Sequence, residues 1–378
     1  MPFPRRLDRS AKREAERPFF SDKQPTVEKR SLHAALRALV ETTGNRIART
    51  LLSVGLTFLG LTCVTFFIGR VIPIDPVLAI VGDKATAETY ARVRAEIGLD
   101  LPLPVQYWRY LMKVLHGDFG SSVITSHPVL QDLLQVFPAT LELALPALFI
   151  GVVVGIPMGV LAATHRGRWQ DQAIRLLSLL GYSMPVFWLG LVGLLLFYAV
   201  LGWVGGPGRL DVAFDDIVTP VTGMITIDSL LAGEYEVFWN ALSHLLLPAS
   251  ILGYLSLAYI ARMTRSFMLG QLRQEYVLAT LAKGLSPWRV VWVHALGNVW
   301  VQLVTVIALT FGSLLEGAVL TETVFAWPGL GLYVKNSLFN ADLNAVLGGT
   351  VLVGVVFITL NMLSDLIYPL VDPRARDQ

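Results

Sequence analysis

Four carboxylic acids lie in or beside long apolar runs: Glu142, Glu316, Glu322 and Asp365. An acid at membrane depth is expensive unless it is paired or wetted, so each is a candidate for proton, cation or hydrolytic chemistry. An intramembrane hydrolase needs two facing acids, or a nucleophile with its base. No two of these four form a recognised protease motif, and neither H-E-x-x-H nor G-x-S-x-G occurs. The six histidines (33, 116, 127, 165, 244 and 294) are scattered without metal-ligand spacing, so no metal site is expected. The phosphate loop G-x-x-x-x-G-K-[ST] is missing too, so this chain does not bind ATP by that motif. The single cysteine, Cys63, excludes an intrachain disulfide and reads as a small buried hydrophobe.

The other informative stretch is 275–298, EYVLATLAKGLSPWRVVWVHALGN, a helical hairpin between two membrane-length apolar runs. Glu275 to Lys283 suit one helical piece. Gly284 frees the chain for a turn, because it can take a positive φ without a Cβ clash. Ser286 and Pro287 then restart a helix as N-cap and first helical residue. Taken alone, the hairpin is either an ordinary connector or a docking element.

The elements that hold these residues follow from composition. The chain has 378 residues, 54% hydrophobic and 15% charged, with a mean hydropathy of +0.59. Those values predict an all-α polytopic membrane protein. Apolar runs of spanning length occur at roughly 50–69, 139–163, 176–201, 244–261, 300–320 and 346–367, giving six transmembrane helices. Residues 1–49 hold twelve Lys/Arg against six Asp/Glu. The 164–175 loop has Arg166, Arg168 and Arg175 against Asp171, and the 262–298 loop has five basic residues against Glu275. Residues 202–243 instead carry six acids and only Arg209. Basic loops stay inside, so both termini are expected in the cytoplasm.

Residues 1–45 read as a basic, flexible cytoplasmic tail attracted by the anionic inner leaflet, and the first span as a retained anchor, not a signal peptide. The extracytoplasmic segment 70–136 is expected to hold three short helices: 85–97, 105–115 and one starting at Pro128. In the second, Val105, Trp108, Leu111, Met112 and Leu115 share one face. Gly151, Gly155 and Gly159 mark a close-packing seam on the second span. Pro146, Pro157, Pro185 and Pro248 are expected to kink their helices.

From about residue 46 to 376 the chain resembles the first membrane subunit of the dipeptide/oligopeptide/nickel branch of ABC importers, dipeptide-type subunits above all. The stretches that carry the resemblance are Ile72-Pro73-Ile74-Asp75-Pro76, Glu96 to Asp100 followed by LPVQYW, HGDFGSSV at 116–123 and PATLEL at 138–143. GIPMGVLAA at 155–163, GYSMPVFW at 181–188, LTETVFAWPGLG at 320–331 and LIYPLVDPRAR at 366–376 continue it. PVTGMITIDSLLAGE at 220–234 resembles the outer insertion of the dipeptide-type subunits.

The resemblance implies a type I ABC importer permease fold in a bacterial inner membrane, and a non-catalytic role in moving dipeptides or short oligopeptides. It implies that 262–298 is the coupling loop, with Glu275, Tyr276, Ala279, Ala282, Lys283, Gly284, Leu285 and Ser286 docking into an ATPase. Leu278 and Leu281 stand where the family usually has arginines, making that face more apolar. ATP and Mg would be bound by one or two kinds of partner ATPase subunit, with no cofactor in this chain. A second homologous permease, an extracytoplasmic substrate-binding protein and the lipid bilayer complete the implied partners, and no nucleic acid is among them. Ser183, Met184 and Glu316 are the pathway candidates. Glu316 replaces a small or neutral residue of the relatives, and three readings are open: pairing with a base on a partner subunit, lining a hydrated pathway, or lying near an interface. Other cargoes of the same machinery are nickel, glutathione and haem. A stand-alone channel or intramembrane enzyme is the alternative of another class.

Overall fold

The computed structural model describes residues 52–69, 76–82, 85–96 and 98–371. The chain divides into two units, Met1–Gly55 and Leu56–Gln378, and the second builds the helical bundle. The expected tail at 1–45, most of the Ile72–Pro76 motif and residues 372–376 of the closing motif lie outside the described residues.

The described residues are helical apart from turns, loops and one isolated antiparallel bridge between Ser121 and Pro128. Helices α1 (Leu52–Gly69), α5 (Val129–Thr164), α9 (Tyr235–Gln271), α12 (Trp300–Val324) and α14 (Leu343–Val371) are each long and apolar enough to cross a bilayer. At 1.5 Å per residue, α5 and α9 reach about 55 Å and outrun a hydrocarbon core of about 30 Å.

The remaining span is broken. Helix α6 (Trp169–Ser183) meets α7 (Val186–Gly193) at 98°, and α7 runs on as a π-helical turn over Leu194–Val200. The pair steps along α9 in reverse order: Asp171 meets Arg265, Gly181 meets Ala258 and Tyr254, Gly193 meets Leu247, and Gly205 hydrogen-bonds to Ser243. A re-entrant loop would turn back along α9, so α6 and α7 form one crossing and the described residues hold six spans. The kink expected at Pro185 is thus a full break, and the span read at 176–201 is built from two helical pieces that begin at Trp169. Pro146 and Pro157 sit inside α5 and Pro248 inside α9 without ending them. Pro185 breaks its helix because Gly181 and Ser183 weaken the last turn, and the proline drives Met184 to an extended conformation (φ −85°, ψ 132°).

The glycine seam is real. Gly151, Gly155 and Gly159 face Ser256, Ile260 and Thr264 of α9 so closely that Cβ atoms at Gly151 or Gly159 would collide. Ser256 spends its hydroxyl on the Ala147 carbonyl across the same seam, at 2.7 Å. This contact makes α5 and α9 the backbone of the bundle.

Three more expectations shift. The third outer helix is not separate: from Pro128 onward it is the start of α5, because no glycine interrupts 121–150 and the buried Val129 and Leu133 pack against Leu330. The fourth span extends well past 261, to Gln271, because Arg262 and Arg265 are good helix formers held by tertiary partners. On α4 (Leu103–Leu115) the expected apolar face splits. Gln106, Leu111 and Val114 are buried, and Tyr107 and Tyr110 each share a 3.0 Å hydrogen bond with Thr62 or Thr65 of α1, leaving Val105, Trp108 and Leu115 exposed. Two shorter helices precede α4, α2 (Pro76–Val81) and α3 (Ala87–Glu96), and α3 stops before Gly98 as expected. Cys63 is half-buried, not buried, since α1 contributes few core residues.

Candidate functional site

The hairpin forms as its sequence dictates. Helix α10 (Glu275–Ala282) is followed by Lys283 and by Gly284 at φ +84°, whose N–H returns to the Leu281 carbonyl at 2.9 Å. The Ser286 hydroxyl accepts the Arg289 N–H, capping α11 (Pro287–Arg289), which widens into a π-helical turn over Val290–Ala295 that leads to α12. Two valines anchor it, Val277 under α10 and Val290 after α11. Tyr276 and Leu285 are half-buried, with the Tyr276 hydroxyl donating to Gln271. Glu275, Ala279, Ala282, Lys283, Gly284 and Ser286 are exposed. So are Leu278 and Trp288, at 71% and 70%. The outer surface of the hairpin is therefore a small apolar platform at the tip of the bundle, chained directly to α9 and α12.

Around α9 the neighbours occupy successive sectors at 100° per residue. Ser256, Ile260 and Thr264 face α5, Ala258 and Arg265 face α6, and Tyr259 and Met263 pack against the cluster that includes Leu303 and Val306 of α12. Arg262 and Ser266 fall in the sector left open between α6 and α12, opposite the glycine seam. Helix α12 has an open strip of its own. Gln302, Thr305, Leu309, Ser313, Glu316 and Leu320 follow one another at three- and four-residue steps and are all exposed. Gly312, turned towards Phe357 of α14, bounds that strip on one side. Four of its six side chains are polar, along a helix otherwise apolar enough to span. Glu316 has no hydrogen bond or ion pair among the described residues. Ser183 is exposed and Met184 half-buried, both at the break between α6 and α7.

The other acids are spent on structure. Glu142 is buried and accepts from Arg209 at 2.5 and 3.1 Å, and from the Thr226 N–H and hydroxyl at 2.7 Å each. Arg209 also donates to the Gly223 carbonyl, clamping the outer segment 202–234 onto α5. Glu322 is fully buried, accepting from the Thr140 hydroxyl at 2.6 Å and from the Leu332 N–H at 2.8 Å, at the start of α13 (Leu330–Phe339). Trp327 donates its indole N–H to the Ala139 carbonyl. Asp342 collects the Ser122 hydroxyl and the Val123 and Ala345 N–H groups at the start of α14. Asp228, on α8 (Ile225–Ala232), holds the turn before it. Burial alone would push its carboxyl up, but donors from Thr222, Val221 and Gly223 outweigh that and hold it below the ordinary carboxylate range. None of these partners adjoins its acid in sequence. The nearest signals are Ala345, three residues after Asp342, and the run of donors at Val221–Gly223, five to seven residues before Asp228. The fourth acid, Asp365, lies where side chains are outside the described residues. No cluster of three His, Cys, Asp or Glu able to hold a metal occurs among the described residues.

Comparison with known proteins gives the same outline. The family model of the binding-protein-dependent transport system inner membrane component matches residues 155–377, and the N-terminal model of the same membrane component matches 45–144. The probable D,D-dipeptide transport system permease protein of Escherichia coli (strain K12) is 45% identical over 315 residues, covering 83% of this chain and 92% of that protein. The di/tripeptide transport system permease protein of Pseudomonas aeruginosa (strain UCBPP-PA14) is 45% identical over 323 residues, covering 85% and 96%. A solved inward-facing structure of the MetNI methionine ABC transporter overlaps at a TM-score of 0.46 and 19% identity, covering 62% of this chain and 93% of that one.

Proposed function

The chain belongs to the family of binding-protein-dependent transport system inner membrane components, and from that premise we propose that it is the permease subunit of an ATP-driven importer of dipeptides or short oligopeptides. One observation carries the reading: the α10–Gly284–α11 hairpin, anchored by Val277 and Val290 while its outer face stays apolar and open. A surface connector has no reason to expose Leu278 and Trp288 together. A docking lever does, since burying them against a partner releases roughly 25 cal/mol per Å².

In this reading Glu275, Tyr276, Ala279, Ala282, Lys283, Gly284, Leu285 and Ser286 seat in an ATPase subunit that binds ATP and Mg. ATP favours the closed ATPase dimer, and only that differential affinity can shift the permease between states. Displacing the hairpin pulls on α9 and α12 together, and hence on both open strips. Glu316, Ser183 and Met184 then border a pathway completed by a second homologous permease. An extracytoplasmic binding protein delivers cargo to the opposite end. The basic loops put the hairpin and both termini in the cytoplasm.

The test is reconstitution. The tagged full-length chain should co-purify with ATPase subunits and a second permease, and proteoliposomes of that complex should take up a labelled dipeptide only with ATP and binding protein. A homomer of this chain that conducts or cleaves substrate unaided would overturn the reading.

A further inference from the structure

A cavity of about 570 Å³ opens between α6 and α9 on the flank that faces away from the glycine seam, the same flank that carries the open strip of α9. Arg175, Leu176, Leu179 and Tyr182 of α6 and Ala258 and Arg262 of α9 are among its walls. Three arginines reach it, and they are not equivalent. Arg265 is committed: its guanidinium grips buried Asp171 at 2.6 and 2.8 Å. Arg175 and Arg262 are exposed and make no ion pair among the described residues. Arg262 is instead held in place by aromatic faces, 5.0 Å from the Tyr182 ring centroid and 5.4 Å from that of Tyr259. Stacking of this kind orients the planar fork and leaves its N–H edges free for an anion.

The chemistry on these walls is that of a receptor for a small amphipathic anion. The Arg262 guanidinium, with Arg175 sharing its charge between Asp171 and the cleft, suits a carboxylate, which accepts two parallel N–H bonds from one arginine. Leucine and alanine walls suit an apolar side chain beside it, and the volume falls in the range of small-molecule sites. We infer that this cleft binds the free C-terminal carboxylate of the transported peptide, with Arg262 as the primary contact and Arg175 as the second. The inference rests on the peptide-importer reading and deepens it. Tyr182 ties the site to the rest of the machine, because it lies one residue before the Ser183–Met184–Pro185 break. A peptide seated on Arg262 therefore touches the element whose bend separates α6 from α7. An anionic lipid headgroup would satisfy the same arginines and the exposed Leu176 and Leu179 beside them, so phosphatidylglycerol is included among the probes.

The experiment uses the assembled transporter in nanodiscs, without binding protein, so that the specificity of that protein does not intrude. The probes are Ala-Ala, its C-terminal amide and phosphatidylglycerol, each read as a shift in unfolding midpoint, alongside uptake with binding protein present. Ala-Ala should raise the midpoint and its amide should not. Arg262→Gln should weaken that response roughly tenfold, the loss of about one charge-assisted contact, and Arg175→Gln should weaken it less. Arg262→Lys should restore only part, and Arg166→Gln, in the exposed turn between α5 and α6, should change nothing. In uptake, Arg262→Gln should raise KM and leave kcat nearly unchanged. Complexes that import Ala-Ala with unaltered KM in both Gln variants would overturn the cleft and leave the importer reading standing. A wild-type complex that imports no dipeptide would overturn the importer reading itself. A midpoint that answers phosphatidylglycerol but not Ala-Ala, and loses that answer in Arg262→Gln, would assign the cleft to lipid and refute the inference.

Discussion

Replacing Gly284 separates the hairpin's local geometry from the fold of the bundle. The residue sits at φ +84° with nothing within 4 Å of a built Cβ, so the turn depends on backbone conformation and not on space. Alanine there adopts the left-handed region at about 1–2 kcal/mol, which the hairpin can absorb. Proline cannot adopt it at all. It fixes φ near −65°, removes the N–H that bonds to the Leu281 carbonyl and drives Lys283 out of its near-helical conformation. Those effects together are about 3 kcal/mol or more, which lowers the equilibrium constant for the native turn over a hundredfold. Val277 and Val290 keep their seats, so membrane insertion and complex yield should stay near wild type. Dipeptide uptake by proteoliposomes should fall by at least tenfold in Gly284→Pro, with futile or lost ATP hydrolysis, while Gly284→Ala stays within about twofold. Glu275→Lys reverses charge on the exposed first turn of α10 and should weaken ATPase association. If Gly284→Pro and Glu275→Lys both import at the wild-type rate and retain the ATPase in full, the hairpin is not the coupling element.

Three further outcomes are expected. A reporter fused after Gly233 should be active only as an extracytoplasmic fusion and one after Gly167 only as a cytoplasmic one, and the reverse pattern would invert the orientation drawn from the basic loops. Glu316→Gln distinguishes two roles: a pathway-lining acid predicts normal complex yield with weaker uptake of free-amino substrates than of capped ones, whereas pairing with a partner's base predicts low yield, and wild-type values for both would remove either role. Asp228 has a folded pKa below its ordinary value of 3.8, so its stabilisation is complete above that value and is lost as pH falls through the folded pKa. The unfolding midpoint of wild type should therefore drop more between pH 7 and about pH 3 than that of Asp228→Asn, and parallel curves would refute the assignment.

Periodicity and composition determined a large part of this protein. Spanning length came from apolar runs, the hairpin from Gly284 and Ser286-Pro287, and a close-packing seam on α5 from three glycines at four-residue spacing. Each of these is local, set by backbone preference or by side chains within a few turns of one helix. What tertiary structure alone decided is which charges are committed. Glu142, Glu322 and Asp342 look as available as Glu316 in the sequence, yet each is tied up by residues 67, 182 or 220 positions away. Glu316 remains open because its helix face has no neighbour among the described residues. The same holds for the arginines, since Asp171 engages Arg265 and leaves Arg262, three residues earlier, stacked on tyrosines and open to an anion. Likewise Pro185 and Pro248 are the same residue in two apolar runs, and one breaks its span while the other does not. The difference lies in a glycine and a serine in the turn before Pro185, and in the unbroken packing of α9 around Pro248. Burial and pairing are sums over distant elements, and a helical period carries no record of which faces those elements will cover.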